Sequence, residues 1–424
     1  MNRTQIVAIL VVGMALATAW AVRGQFGHEQ GAAWAGGIGA MALLLISKRP
    51  DWHNKFLPIT MASAIGWGVT GMISYGRVVG FGRSDNYPNA LYGLMMLFVI
   101  GGLFGLLGGG LTGLSIESSE TKKVKWGRLI SEMVAGALLV YGLLVMQLGV
   151  LMTPPRSEAW AFCLGGGLAM IWYMARNDFN GSLRVALYTA MGAGFGFAFG
   201  NFLQNVGTVL QINFNMWNVM EYSIGFFGGI AMAYTVLTTN WPVSISTPAK
   251  WETRSAVLFL FAFIPLIIFR ESLQYEHLTR RLADLQNTEQ TAQLTSWIAA
   301  IILSIGLIAA WFYIDRKAYI PKNTKIRNIF MIYFLSYIIL SYLVTGMLAG
   351  QFHLNHHLYL ANYIVIMILI QYISKQGYPS INYRMNYTRF RISFFVIIIL
   401  IAFLALISIS IHDGLPGAHD RFNP

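Results

Sequence analysis

Arginine, glutamate, histidine and asparagine recur at the ends of long apolar segments. Ionisable groups at such positions are costly unless they are paired or hydrated, so they are candidates for solute binding or acid–base chemistry. Arginine can hold a carboxylate or phosphate through two parallel hydrogen bonds, which favours an anionic ligand. The candidate substrate-binding residues are Arg23, His28, Glu29, Arg77, Arg156, Glu158, Asn201 and Glu221. The residue types alone do not assign a catalytic role to any of these side chains.

Three histidines form a second candidate group, and they are His353, His356 and His357. Imidazole binds zinc or copper and titrates near neutral pH. Their spacing matches no defined zinc motif, and histidines in a hydrated loop are common without a metal. A metal site and a structural role therefore both stay open.

The sequence assigns no cofactor. It contains no Walker A, His-Glu-x-x-His or Gly-x-Ser-x-Gly motif. The Gly192-x-Gly-x-Gly run lies inside an apolar segment rather than after a strand, which excludes dinucleotide binding. Cys163 is the only cysteine, so an intrachain disulfide and a cysteine-based metal motif are also excluded.

The elements that must position these residues are membrane-spanning helices. The chain is 56% hydrophobic and 11% charged, whereas soluble domains carry about 25% charged residues. Apolar stretches of roughly 17–25 residues recur, and each can cross a bilayer as a helix. Thirteen spans are predicted, at 5–22, 31–47, 56–76, 88–114, 127–151, 158–175, 183–206, 217–237, 254–270, 294–314, 326–349, 357–373 and 391–411. The sequence predicts an all-α, multi-pass integral membrane protein of a bacterial-type inner (cell) membrane, with the lipid bilayer as its partner.

The distribution of lysine predicts the orientation. If alternate loops face the cytoplasm, all ten lysines fall on that side, as the positive-inside rule requires. The N-terminus is then cytoplasmic and the C-terminus outside. The basic residues of the predicted outer loops are all arginine, which favours ion pairs or an anionic ligand there. Topology also explains the net charge of +12, so no nucleic-acid partner is predicted.

An internal repeat is visible in the glycine pattern. Glu29, Glu158 and Glu221 each precede a pair of glycines by seven residues, and Leu94 takes the place of the acid in a fourth copy. The spacing predicts parallel two-helix hairpins of about 64 residues, because each copy contains an even number of spans. The hairpins are 1–47, 56–114, 127–175 and 183–237. Because the first span belongs to a repeat, we expect it to be retained rather than cleaved as a signal peptide.

Glycine content predicts the domain organisation. Most of the 43 glycines precede residue 241, and small residues allow membrane helices to approach closely. We predict a Gly-rich eight-helix core at 1–240, a cytoplasmic linker at 241–253 and a five-helix Ile/Leu-rich part at 254–424. Leu278, Leu282 and Leu285 have helical spacing, so an outer amphipathic helix is predicted in the loop 271–296.

The charged residues also have a purely structural explanation. In the predicted topology Glu29, Glu158 and Glu221 lie at the positive ends of helix dipoles, and Arg23 and Arg77 lie at negative ends. Each placement stabilises a helix by about 0.3–1 kcal/mol without any ligand. Burial of these side chains would favour a binding site, whereas exposure would favour the dipole explanation.

Three functions fit these observations. The leading hypothesis is a transporter or permease for a small polar solute, which could be anionic, bound at an outward-facing mouth. The second is a membrane-embedded transferase with an outer-face active site for a lipid-linked substrate. The third is a non-catalytic subunit of a membrane complex, and a homo-oligomer is equally compatible with helix faces rich in glycine.

Overall fold

The computed structural model describes residues 3–422 except 155, 244–247, 286, 316–322 and 375–385. No strand occurs in this described part of the chain. The helices are α1 (Arg3–Val22), α2 (His28–Ser47), α3 (Pro50–Asn54), α4 (Phe56–Thr70), α5 (Gly76–Phe81), α6 (Tyr87–Glu117), α7 (Trp126–Val140), α8 (Glu158–Arg176), α9 (Asn180–Val209), α10 (Met216–Thr238), α11 (Lys250–Leu258), α12 (Ile264–Ile268), α13 (Tyr275–Arg281), α14 (Thr288–Asp315), α15 (Asn323–Val344), α16 (Leu354–Ser374) and α17 (Tyr387–Ser410). Short π-helical turns at Tyr141–Gln147, Phe259–Phe263 and Phe269–Leu273 continue α7, α11 and α12.

Every predicted span overlaps one of these helices. Among the described residues, ten helices are long and apolar enough to cross a membrane. The other three predicted spans coincide with α4, which has only 15 residues, and with α8 and α9, which contain more polar residues. The described helices are compatible with a multi-pass membrane protein, while thirteen spans and their orientation remain predictions.

Large apolar side chains cover the exposed helix faces. On the α7 segment Leu139 is 73% exposed, and on α17 Ile399 is 67% exposed. Soluble proteins rarely expose contiguous apolar surface of this kind, whereas lipid chains solvate it without cost. The exposed surface therefore agrees with the apolar composition.

The contacts between Cα atoms divide the chain into two compact units. Unit 1 comprises Met1–Gly71 and Val243–Pro379, and unit 2 comprises Met72–Pro242 and Ser380–Pro424. The first boundary falls inside the predicted hairpin 56–114, so that α4 belongs to unit 1 and α6 to unit 2. The hairpin repeat and the domain division at residue 240 remain predictions from the sequence.

In unit 1, α2 packs against α1 and α4, and α1 also packs against α16. Gly36 of α2 faces the Trp67 side chain, and Gly68 of α4 faces Ala33, at distances that leave no room for a larger residue. Trp34 stacks on Tyr333 and Tyr337 of α15. These contacts hold α2 against α4 and the middle of α15.

In unit 2, α9 packs against α6 and α10, and α17 lies against α6 and α9. Gly192, Gly196 and Gly200 recur every fourth residue of α9 and face the backbone of α10. Gly101 and Gly105 of α6 face the backbone of α9 in the same way. Close contact between backbones is the expected role of small residues in membrane helices, and it places the end of α9 beside the start of α10.

Within the predicted outer helix 271–296, the structure contains the seven residues of α13 and the beginning of α14. Leu278 and Leu282 are buried, which accounts for the leucine spacing noted in the sequence. The helical segment is shorter than the pattern suggested because α13 ends at Arg281 and α14 begins only at Thr288.

Candidate functional site

The predicted site residues fall in both units, and each unit is described by itself. Unit 1 contains Arg23, His28, Glu29, His353, His356 and His357, and unit 2 contains Arg77, Arg156, Glu158, Asn201 and Glu221.

A buried carboxyl group lies near the start of α10 in unit 2. Glu221 is only 8% exposed, and the hydroxyl of Tyr75 donates to its Oε1 at 2.5 Å. The Tyr75 ring packs edge-on against Phe197 of α9, with 5.0 Å between ring centroids. The pair is therefore held between the turn that precedes α5 and the two glycine-packed helices.

Three buried carboxamides, Asn201, Gln204 and Asn205, form what we call the amide cluster at the end of α9. Their spacing of three and four residues places them on one helix face. Asn201 Nδ2 donates to Gln204 Oε1 at 3.3 Å. Asn205 Nδ2 donates to the Gly82 carbonyl at 2.7 Å and to Ser408 Oγ at 3.0 Å. The cluster thus joins α9 to the turn after α5 and to the end of α17.

The amide cluster retains unused hydrogen-bonding capacity. Asn201 Oδ1, Gln204 Nε2 and Asn205 Oδ1 have no hydrogen-bond partner within the described part of the chain. A buried polar atom without a partner costs about 1–3 kcal/mol. Tyr75 packs on Phe197, one helical turn before Asn201, and the Gly200 backbone faces that of Met220. The cluster and the Tyr75–Glu221 pair are therefore both attached to the contact between α9 and α10.

The C-terminal tail, residues 411–422, is bound to the start of α6. Asp420 Oδ1 accepts hydrogen bonds from Ser84 Oγ at 2.7 Å and from Asn89 Nδ2 at 3.1 Å. Ser84 and Asn89 are both buried. The tail is therefore an ordered part of unit 2.

His412 connects this tail to the amide cluster. Its Nε2 lies 3.4 Å from Ser408 Oγ, which in turn accepts from Asn205. Burial lowers the pKa of His412, while the nearby charges of Asp85 and Asp413 act in the opposite direction. The neutral imidazole is thus the form that fits the docked tail.

The other predicted residues of unit 2 are more exposed. Arg77 is exposed on α5, and Arg156 is exposed before α8. Arg156 Nε lies 3.5 Å from Glu158 Oε1, and both side chains are at least 40% exposed. An ion pair of this kind contributes little to stability. Glu158 begins α8, so its position fits the dipole explanation.

In unit 1, Arg23 is fully buried at the end of α1. Its guanidinium lies 4.5 Å from the Trp20 ring centroid, and Nη1 lies 3.4 Å from His28 Nδ1. Tyr337 of α15 lies in the same region, and its hydroxyl donates a hydrogen bond to the Gly31 carbonyl at 3.1 Å. Arginine, histidine and tyrosine are thus brought together where the sequence placed only Arg23 and His28.

The three repeated glutamates have different environments. Glu29 is exposed and lies in the first turn of α2, and Glu158 is partly exposed at the start of α8. Only Glu221 is buried. A common sequence pattern therefore gives two acids that suit the helix dipole and one that is held inside a polar cluster.

The predicted histidine group lies at the start of α16 and is mostly exposed. His356 is only 1% exposed, and its Nε2 lies 3.1 Å from Gln25 Nε2. His357 Nδ1 lies 3.0 Å from the Tyr342 hydroxyl, and the His353 ring is 5.7 Å from that of His356. In the described ranges, no group of three or more His, Cys, Asp or Glu side chains is placed to hold a metal ion.

Sequence reasoning missed Tyr75 and Tyr337 because neither stands in a motif. It also missed Arg184, which is buried on α9 and donates to the Thr235 carbonyl and to the Thr238 and Thr239 hydroxyls at the end of α10. Arg184 suits the negative end of the α10 dipole. Its role is to cap that helix.

The described helices are compatible with a multi-pass helical membrane protein, and polar side chains are buried at several of their ends. No family model matches the sequence, and no match was found among curated proteins or among solved structures. The function is therefore argued from the site alone.

Proposed function

We propose that this protein is a membrane transporter, or permease, for a small polar solute that binds in unit 2 at the amide cluster. The observation that carries the proposal is the burial of Glu221 on α10 and of three carboxamides on its packing partner α9, which retain unused hydrogen-bonding atoms. Polar and ionisable groups inside a helical membrane protein are costly, and they mark solute and ion pathways.

The hydrogen-bonding atoms of the amide cluster also favour one class of solute. Its unused atoms include two amide oxygens and one amide nitrogen, which suit a molecule that both donates and accepts hydrogen bonds. A carboxyl group is a poor hydrogen-bonding partner for a negatively charged solute. A neutral hydroxyl- or amide-bearing solute therefore fits better than an anion.

Close helix packing at glycines gives this site a rigid surrounding scaffold. Gly196 and Gly200 hold α9 against α10 on the side of Glu221, and Gly101 and Gly105 hold α6 against α9. Binding groups on rigid elements keep the geometry that selective recognition requires. In the predicted topology the end of α9 and the start of α10 lie towards the outer side.

The test is a binding screen followed by a flux assay on the full-length protein. Thermal unfolding of the protein in nanodiscs is measured with a panel of sugars, polyols, amino acids and small carboxylates. Each stabilising solute is then tested for counterflow in proteoliposomes. We expect a neutral polar solute to stabilise the protein and to show counterflow.

The variants Glu221→Gln and Tyr75→Phe should reduce this counterflow at least about tenfold. Tyr75→Phe removes the donor of the buried hydrogen bond, and Glu221→Gln replaces its carboxylate acceptor with a neutral amide. Glu276→Gln, an exposed position on α13, is the matched control and should retain it. Binding without flux would overturn the proposal in favour of a transferase or a complex subunit. An absence of counterflow for every solute of the panel would also overturn it.

A further inference from the structure

A second polar site lies at the start of α16 in unit 1, and the proposed transport function does not use it. It contains one arginine, one glutamine and three histidines from three separate parts of the sequence. Its members are Gln25, Arg281, His353, His356 and His357.

The site contains a buried hydrogen-bond donor without an acceptor. Gln25 Nε2 can only donate, so His356 Nε2 accepts from it across 3.1 Å and the ring proton lies on Nδ1. Only 1% of the His356 surface is exposed, and its Nδ1 atom has no hydrogen-bond partner among the described residues. A buried N–H group of this kind requires an acceptor, such as the oxygen of a ligand.

The charge around this donor is positive. Arg281 Nη1 donates to the Gln25 carbonyl at 2.9 Å, and no ion pair joins Arg281 to an acid within the described residues. The charges of Arg281, His353 and His357 all act on His356. An anion would relieve the repulsion between these groups.

The backbone adds to this preference. The site lies at the N-terminus of α16, which is 21 residues long, and the positive end of a helix dipole favours an anion. His353 is exposed and its ring is 5.7 Å from that of His356, so it places a second imidazole beside the buried donor.

We propose that Arg281, His353, His356 and His357, together with Gln25, form a binding site for an oxyanion, that is, a carboxylate or phosphate group. The group could belong to a free solute or to an anionic lipid headgroup. Exposed Phe352, Leu354 and Leu358 lie beside the site and provide apolar surface for lipid chains. The two sources share one chemistry and are distinguished by experiment.

The test measures thermal unfolding of the full-length protein in nanodiscs. In one arm, phosphatidylcholine nanodiscs receive sodium phosphate, with sodium chloride of equal ionic strength as reference. In the other, phosphatidylglycerol replaces part of the phosphatidylcholine and no phosphate is added. We expect stabilisation in at least one arm, because the buried His356 donor and the Arg281 guanidinium both favour an oxyanion.

Arg281→Gln should weaken the apparent affinity at least about tenfold. Arg280→Gln is the matched control, since it removes the same charge from the neighbouring position, where Arg280 Nε donates to the Glu276 carbonyl. Arg281→Lys keeps the charge without the planar fork and should bind with intermediate affinity. It also tests the site if the glutamine variant fails to fold.

Stabilisation by phosphate alone would identify a free oxyanion, and stabilisation only by phosphatidylglycerol would identify a lipid headgroup. Both results support the site. The proposal is overturned if neither arm stabilises the protein, or if both glutamine variants lose affinity equally.

Discussion

One side chain of α6, Asn89, makes four hydrogen bonds to the end of the C-terminal tail, and replacing it should release residues 420–422. Asn89 Nδ2 donates to Asp420 Oδ1 at 3.1 Å and to the Phe422 carbonyl at 3.0 Å. Asn89 Oδ1 accepts from the backbone N–H groups of Arg421 and Phe422, both at 2.8 Å. The variant Asn89→Leu removes all four bonds and keeps a side chain of similar size.

The magnitude follows from these four bonds. Three neutral hydrogen bonds contribute about 1 kcal/mol each, and the bond to a carboxylate contributes about 2 kcal/mol, so about 5 kcal/mol is an upper bound. The released tail regains hydrogen bonds with water, and we therefore expect a loss of about 2–4 kcal/mol. The equilibrium constant for opening of the tail should therefore rise about 30-fold to 700-fold.

Hydrogen exchange measured by mass spectrometry on peptides from residues 411–422 is the direct assay. The N–H groups of Arg421 and Phe422 are protected through Asn89, so their exchange reports local opening of the tail. In Asn89→Leu these amides should exchange faster by the factor given above, while peptides from α9 and α10 keep their protection.

Asn86→Ala provides the control. The Asn86 side chain accepts from the Asn89 N–H at 3.4 Å and caps α6, so its loss should cost about 1 kcal/mol at that helix end. We expect tail exchange to change by only a few-fold. Unchanged tail protection in Asn89→Leu would refute the reasoning, and so would equal loss of protection throughout unit 2.

Three further predictions follow. Gly105→Ala should lower stability against thermal unfolding by about 1–3 kcal/mol, because a Cβ atom would clash with the Thr189 carbonyl. Gly102→Ala, with its nearest neighbour at 3.7 Å, should be neutral or stabilising by up to about 1 kcal/mol; equal losses would contradict this. Because burial lowers the pKa of His412, protonation favours the released tail, so tail protection should fall as the pH drops below about 6.5 and His412→Gln should abolish this dependence. Protection that rises on acidification would be the opposite result. Single cysteines introduced at Asp51, Lys122 and Ala318 should not be labelled from the outside, whereas a single cysteine at Pro416 should be. Outside labelling of the first three positions would reverse the predicted topology.

The sequence by itself determined the class of fold. Backbone groups in lipid must be satisfied within a helix, so an apolar segment of sufficient length specifies its own local structure. The ten apolar helices of the described residues follow from this rule. The high glycine content before residue 241 likewise predicted close helix contacts, although not which helices meet. Gly192, Gly196 and Gly200 make such contacts with α10.

Tertiary structure alone decided which polar residues meet. Glu29 and Glu221 share a sequence pattern, yet only Glu221 is buried, because Tyr75 from 146 residues earlier donates to it. Asn89 binds Asp420 across 331 residues. Such pairs lie outside any local motif, and their formation depends on which helix ends are brought together by packing. The sequence could therefore locate polar groups at helix ends, whereas the burial that makes a binding site arises only from contacts between distant segments.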